Sequence, residues 1–346
     1  MACKPVLNGI LWNVGYSIFP TEIDDSSESM RLWDAEFDAM RHIGLDTVLV
    51  FTGIPNALET ASLPGGQDVI EKIAIECDRC GMSMLIAAGG RSRWGVDLKM
   101  PDEMRLISEY IDTVHARYGH HRSFAGWYID YEFSLLPNLK KELMELYRET
   151  VILCKAKSPG LPVVASPFFS PPTETNIMNF GYHEPQEYYD YWSDMISSSH
   201  FDVLSLQDNG GQHLSYFEES DTEPYIAAFA KACSDNGCRF WGNVETGEFL
   251  TGSAREFTEK YGPRGNVNLK EMKNGWRPVP IERLKRKLRT MSRYSEKNLS
   301  WGYQGFYRPS LGAKEAAAYR DYETFLKEAF PEMIVNQQDD GARIEK

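Results

Sequence analysis

Eight short apolar segments recur along the chain at nearly constant spacing, and this spacing constrains the fold more than any other feature. Each segment is rich in Val, Ile, Leu or aromatic residues, which is typical of buried strands. They begin at residues 6, 47, 83, 124, 162, 202, 239 and 300, so the successive intervals are 41, 36, 41, 38, 40, 37 and 61 residues. The segments read VLNGILWN, TVLVFTG, SMLIAAGG, FAGWYIDYE, PVVASPFF, DVLSLQD, RFWGNVETG and SWGYQGFYR.

Amphipathic segments with helical periodicity fill the intervals, and several end at a glycine suited to a left-handed cap. These glycines are Gly44, Gly81, Gly119, Gly160 and Gly237. Because a crossover between parallel strands needs a dozen or more residues, this alternation indicates parallel pairing. Closure into a (β/α)8 barrel is the simplest result. An open doubly wound sheet is the alternative, but residues 13–16 (Asn-Val-Gly-Tyr) lack its glycine-rich phosphate turn.

The sequence therefore predicts an α/β protein with a single domain, a (β/α)8 (TIM) barrel over residues 1–330, followed by a polar tail over residues 331–346. The long last interval and the segment after the fifth strand place extra chain in loops that follow the carboxyl ends of strands. Such loops build the active-site face of a barrel. We therefore expect a shaped binding cleft at that face.

The charge balance narrows the classes of partner. The 346 residues include 37 Lys and Arg against 50 Asp and Glu, a formal net charge of −13, whereas nucleic-acid binding depends on clustered basic residues. No apolar run reaches the roughly 18 to 20 residues that span a bilayer, and the first residues lack the pattern of a signal peptide. We expect a soluble protein that binds neither nucleic acid nor membrane, located in the cytoplasm or, if a signal peptide has been removed, secreted or periplasmic. The oligomeric state is left open.

The six cysteines do not form the pattern of a disulfide framework in a chain of this length. Cys77 and Cys80 make a CxxC pair inside a predicted helix, whereas a redox pair belongs at a helix start, where the thiol pKa is lowered. We therefore predict packed helix cysteines. Cys233 and Cys238 would form a local disulfide only in an oxidising compartment.

Carboxylates follow the fourth and seventh strand candidates. The side-chain period of two places Tyr128, Asp130 and Glu132 on one face of the fourth strand, and Trp127 and Ile129 on the other. The same period places Glu245 on one face with Trp241 and Asn243 in the seventh strand. Two carboxyl groups about 5 to 5.5 Å apart serve retaining glycoside hydrolysis, and about 6.5 to 9.5 Å serves the inverting reaction. The sequence therefore predicts two carboxylates facing each other across the barrel mouth.

Three motifs carry a resemblance to a known family: Gly126-Trp127-Tyr128 to Glu132, Gln207-Asp208-Asn209-Gly210-Gly211, and Trp241-Gly242-Asn243-Val244-Glu245. The chain resembles the clan A glycoside hydrolases, and within that group it is similar to a glycoside-hydrolase-like barrel family described as a domain of unknown function. The resemblance covers the chain to about residue 330. It implies a retaining glycosidase that needs no cofactor or metal, with Glu132 as acid/base and Glu245 as nucleophile.

The chain departs from the clan A pattern at one position. Clan A enzymes place Asn before the acid/base Glu, and this chain has Tyr131. The reserve candidates for catalysis are therefore Asp130, Asp208 and Glu248. Aromatic rings and polar groups near strand ends are expected to bind the sugar. The predicted substrate-binding residues are Trp12, Trp94, Tyr128, Asp130, Gln207, Asp208, Asn243 and Tyr303, while Arg91 and Arg93 could recognise an acidic sugar.

Three other functional classes stay open at this point. A non-catalytic carbohydrate-binding barrel would keep the cleft without the chemistry. A metal-dependent isomerase or aldolase would need converging histidines, of which only His183 and His213 fall in rim loops. A phosphate-substrate barrel would use residues such as those at 310–314, before the last helix.

Overall fold

The computed structural model describes residues 3–14, 27–51, 68–89, 98–173, 181–211, 215–261 and 275–335. Eight parallel strands close into a barrel in the order β1-β10-β7-β6-β5-β4-β3-β2, which confirms the predicted α/β barrel. The ten strands are β1 (Gly9–Asn13), β2 (Thr47–Phe51), β3 (Ser83–Ala87), β4 (Phe124–Ile129), β5 (Val163–Ala165), β6 (Val203–Gln207), β7 (Arg239–Asn243), β8 (Gly247–Phe249), β9 (Trp276–Pro278) and β10 (Asn298–Ser300).

Helices alternate with the barrel strands and cover the outside of the barrel. Within the described residues they are α1 (Ser27–His42), α2 (Val69–Cys80), α3 (Met100–Tyr118), α4 (Lys140–Lys157), α5 (Pro185–Ser199), α6 (Glu219–Asp235), α7 (Ala254–Tyr261), α8 (Ile281–Ser292), α9 (Tyr303–Phe306) and α10 (Ala313–Ala329). None of them combines the length and the apolar character that crossing a bilayer would require.

Two apolar layers result from the alternation of side chains along the strands. A small inner cluster that includes Leu49, Tyr128 and Trp241 fills the barrel interior. A large outer cluster that includes Trp127 and Ile129 packs between strands and helices. The side-chain parity predicted for Trp127, Tyr128 and Ile129 is therefore confirmed.

The interval of 61 residues before the last barrel strand contains a second, small sheet. Strands β8 and β9 pair antiparallel, with Glu248 opposite Arg277. Their aromatic residues, Phe249 and Trp276, form a separate apolar cluster with Phe257 of α7. This sheet lies in the chain between β7 and α8, the interval in which the sequence predicts elaboration of the catalytic rim.

The end of the described chain packs against the barrel. Pro331–Met333 form a 3-10 turn, and the backbone N–H of Val335 donates to the carbonyl of His42 at 3.1 Å. The packed part of the chain thus continues for five residues beyond the predicted domain boundary at residue 330. The remainder of the predicted tail, residues 336–346, lies outside the described residues.

The cysteines are free thiols. Cys77 and Cys80 are buried on α2, so the prediction of packed helix cysteines is confirmed. Burial raises the pKa of the Cys77 thiol well above its ordinary value and that of Cys80 to about 11. Both thiols are therefore neutral near pH 7.

Candidate active site

The fourth barrel strand delivers two carboxyl groups to the carboxyl end of the barrel. Strand β4 ends at Ile129, and Asp130 and Glu132 follow directly. Between them Tyr131 turns outward, since its hydroxyl donates to Glu103 of α3 and its carbonyl accepts from the Tyr147 hydroxyl at 2.5 Å. The residue that departs from the clan A pattern therefore anchors this segment to the helical layer and does not face the lumen.

Glu132 is held by neutral hydrogen-bond donors. Its Oε1 accepts from the hydroxyl of Tyr128, the lumen-facing tyrosine four residues earlier, and the side chain of Gln207 on β6 also bonds it. Burial raises the pKa of Glu132 to about 7, although these two hydrogen bonds act in the opposite direction. A substantial fraction of Glu132 is therefore protonated near neutral pH.

Asp130 lies in a similar environment with fewer partners. Its Oδ1 is buried and has no hydrogen-bond partner within the part of the chain that the structure describes. Burial raises the pKa of Asp130 to about 7; its own backbone N–H lowers it, and the charges of Glu132 and Glu103 raise it further. Two adjacent acidic groups near the lumen thus resist ionisation at the same time.

Glu245 lies beyond the end of β7 in a different setting. Its side chain is only 1% exposed, and Oε2 accepts the backbone N–H of Gly211 at 2.8 Å. Both backbone groups of Glu245 are hydrogen-bonded to side chains. Its N–H donates to Oδ1 of Asp208 at 3.1 Å, and its carbonyl accepts from Nζ of Lys287 at 2.6 Å. The loop after β6 therefore holds the Glu245 carboxylate, and Asp208 and Lys287 hold its backbone.

The loop after β6 depends on a close backbone approach. A Cβ built on Gly211 would lie 1.7 Å from the carbonyl oxygen of Gly247 and 3.0 Å from Oε2 of Glu245. No larger residue fits at this position without moving the backbone. The glycine of the Gln-Asp-Asn-Gly-Gly motif therefore allows the backbone N–H of Gly211 to reach Glu245.

A chain of hydrogen bonds connects the strand ends around this rim. Nε2 of Gln207 donates to the carbonyl of Ser166 at 3.0 Å, and Nδ2 of Asn243 reaches the Ser166 hydroxyl at 3.4 Å. Oδ1 of Asn243 accepts the backbone N–H of Trp301 at 2.9 Å. Because Gln207 is also opposite Asn243 in the β6–β7 register, the network joins the neighbourhood of Glu132 to that of Glu245.

The family model for the domain of unknown function DUF4434 matches residues 8–312. The chain belongs to the DUF4434 family. This confirms the resemblance to a glycoside-hydrolase-like family of unknown function. No curated protein has significant sequence similarity to the chain.

Solved glycosidase structures share the fold of this DUF4434 protein. A putative α-L-fucosidase from Bacteroides thetaiotaomicron VPI-5482 matches with 20% identity and a TM-score of 0.70, over 94% of this chain and 95% of that one. A β-galactosidase from Marinomonas ef1 has 12% identity and a TM-score of 0.55, over 93% and 59%. An exo-β-1,4-mannosidase from Opitutaceae bacterium strain TAV5 has 13% identity and a TM-score of 0.52, over 95% and 60%. At these identities the likeness establishes the barrel fold.

Two aromatic residues that the sequence assigns to sugar binding lie in the core. Trp12 is 1% exposed and stacks between helix and barrel, with ring centroids 5.7 Å from Trp33 and 5.5 Å from Phe37. Tyr303 is fully buried because β10 ends at Ser300 and the chain then enters α9. Neither ring can present a face to a ligand, so both assignments are wrong. Trp94, together with Arg91, Arg93 and His213, lies outside the described residues.

Asp208 and Glu248 are occupied by structural contacts. In strand β6, Ser205 and Gln207 share the lumen-facing side with Val203. Asp208 has the opposite parity and points towards the helical layer, where its Oδ2 lies 3.2 Å from Nζ of Lys287. Glu248 accepts from Arg277 at 2.7 Å and Arg283 at 2.6 Å. The predicted substrate contact by Asp208 is therefore wrong, and Glu248 serves as a buried anchor of the β8–β9 sheet.

Two residues of the site were not singled out from the sequence. Trp301, directly after β10, is partly exposed and contacts both the lumen cluster and the β8–β9 cluster. Lys287 is 5% exposed and lies on the same face of α8 as Leu284, Leu288 and Met291. A lysine in an apolar stripe indicates a buried cation with an acidic partner, so Lys287 could have been found from the sequence.

Proposed function

We propose that this DUF4434 protein is a retaining glycoside hydrolase, with Glu132 as general acid/base and Glu245 as nucleophile. The observation that carries the proposal is the contrast between two carboxyl groups on one barrel rim. Glu132 has a pKa of about 7, whereas Glu245 receives a backbone N–H. Retaining hydrolysis uses one carboxyl group that donates a proton and a second that attacks the anomeric carbon.

The proposed reaction has two steps. The Glu245 carboxylate attacks the anomeric carbon while the bond to the leaving oxygen breaks, and the proton of Glu132 passes to that oxygen. Water then attacks the anomeric carbon of the glycosyl-enzyme, gives a proton to Glu132, and releases Glu245 as a carboxylate. The hydrogen bonds from Tyr128 and Gln207 hold the Glu132 carboxylate between the two steps.

Sugar contacts are proposed for the groups that line the lumen side of the rim. Gln207 is partly exposed and offers an amide group, and Asp130 has a buried oxygen without a protein partner among the described residues. Tyr128 and Asn243 are fully buried, so we assign them the support of Glu132 and of the rim and no direct contact with the sugar. Trp301 offers a partly exposed ring of the kind that packs on sugar C–H groups. Trp94 remains a sequence-based candidate.

The test begins with a panel of activated aryl glycosides. The glycosidase structures that share the fold suggest aryl α-L-fucosides, β-galactosides and β-mannosides as the first members. We expect turnover of at least one substrate, with Glu132→Gln and Glu245→Gln each reducing kcat at least about 1,000-fold. Glu145→Gln, which changes an exposed carboxylate on α4, is the matched control and should retain activity.

Added azide separates the two roles. Azide with Glu245→Gly should give a glycosyl azide of inverted anomeric configuration, because the anion replaces the missing nucleophile. Azide with Glu132→Ala should give the retained configuration, because it replaces the water activated by the base. Near-normal activity of both Gln variants would refute the assignment, and sugar binding without turnover by the wild-type protein would indicate the non-catalytic barrel.

A metal-dependent isomerase is not favoured by the rim geometry. His183 pairs with Glu187 at 3.2 Å. Among the described residues, one group of three metal-ligand side chains comes together, and it includes neither of the two carboxylates proposed for catalysis.

A further inference from the structure

A cluster of histidine and carboxylate side chains lies at the amino end of β4, the end opposite to Glu132. His120 and His121 occupy the turn between α3 and β4, and Glu71 projects from the first turn of α2. One ligand atom from each of these three residues lies within 4.8 Å of the others. Their types, two imidazoles and a carboxylate, are those that bind Zn²⁺ in proteins.

Asp78 determines which nitrogen of His121 is available. Its Oδ2 lies 2.7 Å from Nδ1 of His121, so the carboxylate accepts the proton of Nδ1. The Nε2 lone pair is then directed at Oε2 of Glu71, 3.2 Å away. The Nε2 lone pair and the Glu71 carboxylate would repel each other at 3.2 Å. A positive charge must therefore lie between them, either a proton on Nε2 or a metal ion. A carboxylate on the far nitrogen is also the usual outer-shell partner of a zinc-binding histidine.

The spacing matches a tetrahedral ion. Zinc–nitrogen and zinc–oxygen bonds of about 2.0 to 2.2 Å place neighbouring tetrahedral ligand atoms about 3.3 to 3.5 Å apart. The 3.2 Å separation of His121 Nε2 and Glu71 Oε2 is close to that edge. A ring nitrogen of His120 lies within 4.8 Å of the other two ligand atoms, and this exposed side chain would move towards the ion to become the third ligand. A water molecule can occupy the fourth coordination position.

The turn that carries the histidines is held in place. Oδ1 of Asp78 accepts the backbone N–H of Ser123 at 2.8 Å, and the N–H of His121 donates to the carbonyl of Tyr118 at 3.1 Å. His121 itself is largely buried, with 7% of its side chain exposed, whereas His120 is exposed. His121 is thus fixed by the fold, whereas Glu71, with 38% of its side chain exposed, and the exposed His120 can adjust to the ion.

We propose that Glu71, His120 and His121 form a Zn²⁺ site that joins α2 to the α3–β4 turn. Strand β4 has six residues, which separates the two ends of the barrel by about 20 Å. The ion would therefore stabilise the fold by mass action and take no part in chemistry at Glu132. This inference does not depend on the proposed glycosidase activity.

The test is calorimetric titration of the metal-free, full-length chain with ZnCl2 at pH 7.5, and thermal unfolding with and without the salt. We expect one ion per chain and a higher unfolding temperature with zinc. His120→Ala should weaken binding at least ten-fold without changing the metal-free unfolding temperature, because His120 is exposed. Asp78→Asn should weaken binding about 10- to 100-fold through the orientation of His121.

His42→Ala is the matched control, because His42 pairs with Glu323 at 2.8 Å without a second histidine. It should bind zinc as the wild type does. Co²⁺ in place of Zn²⁺ should give tetrahedral visible bands without a thiolate charge-transfer band. Equal zinc affinity of wild type and His120→Ala, a loss of affinity in His42→Ala, or a thiolate band would each overturn the proposal.

Discussion

The hydroxyl of Tyr128 should control the alkaline limit of activity. It donates to Oε1 of Glu132, and this hydrogen bond favours the carboxylate, so it lowers a pKa that burial has raised to about 7. A hydrogen bond to a charged group contributes about 1.5 to 3 kcal/mol, and one pH unit corresponds to about 1.4 kcal/mol. Because Gln207 remains and water replaces part of the lost bond, Tyr128→Phe should raise the pKa of Glu132 by about 1 unit.

The sign of the effect follows from the proposed role. The general acid must be protonated, so kcat/KM falls as pH rises through the pKa of Glu132, and the variant should keep its activity to higher pH. The assay is kcat/KM from pH 4 to 10 on the best aryl glycoside of the panel. Tyr319→Phe is the control, because its hydroxyl donates to the carbonyl of Ala39, between α10 and α1. An alkaline limb that stays in place or moves downward in Tyr128→Phe would refute the reasoning.

Three further changes test how the site is supported. Lys287→Met should destabilise the fold by about 3 to 5 kcal/mol in denaturant unfolding, because it leaves the buried Asp208 carboxylate without its cation, and adding Asp208→Asn should recover part of that loss; a cost below about 1 kcal/mol would contradict the pairing. Gly211→Ala should reduce both stability and kcat, since its Cβ would lie 1.7 Å from the Gly247 carbonyl, and an unchanged kcat would show that the loop does not hold the nucleophile. Glu132→Gln should raise the free energy of unfolding by about 3 kcal/mol at pH 8 and change it little at pH 4.5, because the pKa rises from 4.5 to about 7 on folding; equal effects at the two pH values would count against a raised pKa.

The strand order and side-chain parity could be predicted because each barrel strand is a short, fully buried run. Parity misleads at two positions, Tyr303 and Trp12, for different reasons. The apolar pattern predicts that the eighth strand begins at Ser300, whereas the strand ends there. Gly302, at a φ of 101°, then turns the chain into α9, and this turn carries Tyr303 into the core. Trp12 was misassigned because alternation shows that Leu11 and Trp12 face opposite ways without showing which faces the lumen.

The contacts that hold Glu245, the proposed nucleophile, could not be predicted from local sequence. Asp208 and Lys287 are far apart in the chain. They meet because β6 pairs with β7 and because α8 carries Lys287 to the segment that follows β7, where it donates to the carbonyl of Glu245. The motif around Asp208 predicts a functional loop, but its carboxylate could bind either a ligand or the protein. Only the register, which turns Gln207 towards the lumen and Asp208 away from it, distinguishes the two.

The burial that raises the pKa of Glu132 also makes the folded protein less stable at neutral pH. In the unfolded chain Glu132 ionises near its ordinary pKa of 4.5, while in the folded chain it ionises near 7. Between these values the folded state binds more protons, so the stability that this group contributes falls as pH rises from about 4.5 to about 7 and stays reduced above that. Asp130, with a pKa of about 7 against 3.8, adds to the same loss. Two adjacent carboxyl groups that both oppose folding at neutral pH are more readily explained by chemistry at the barrel mouth than by a structural role, since amides of the same shape would avoid the cost.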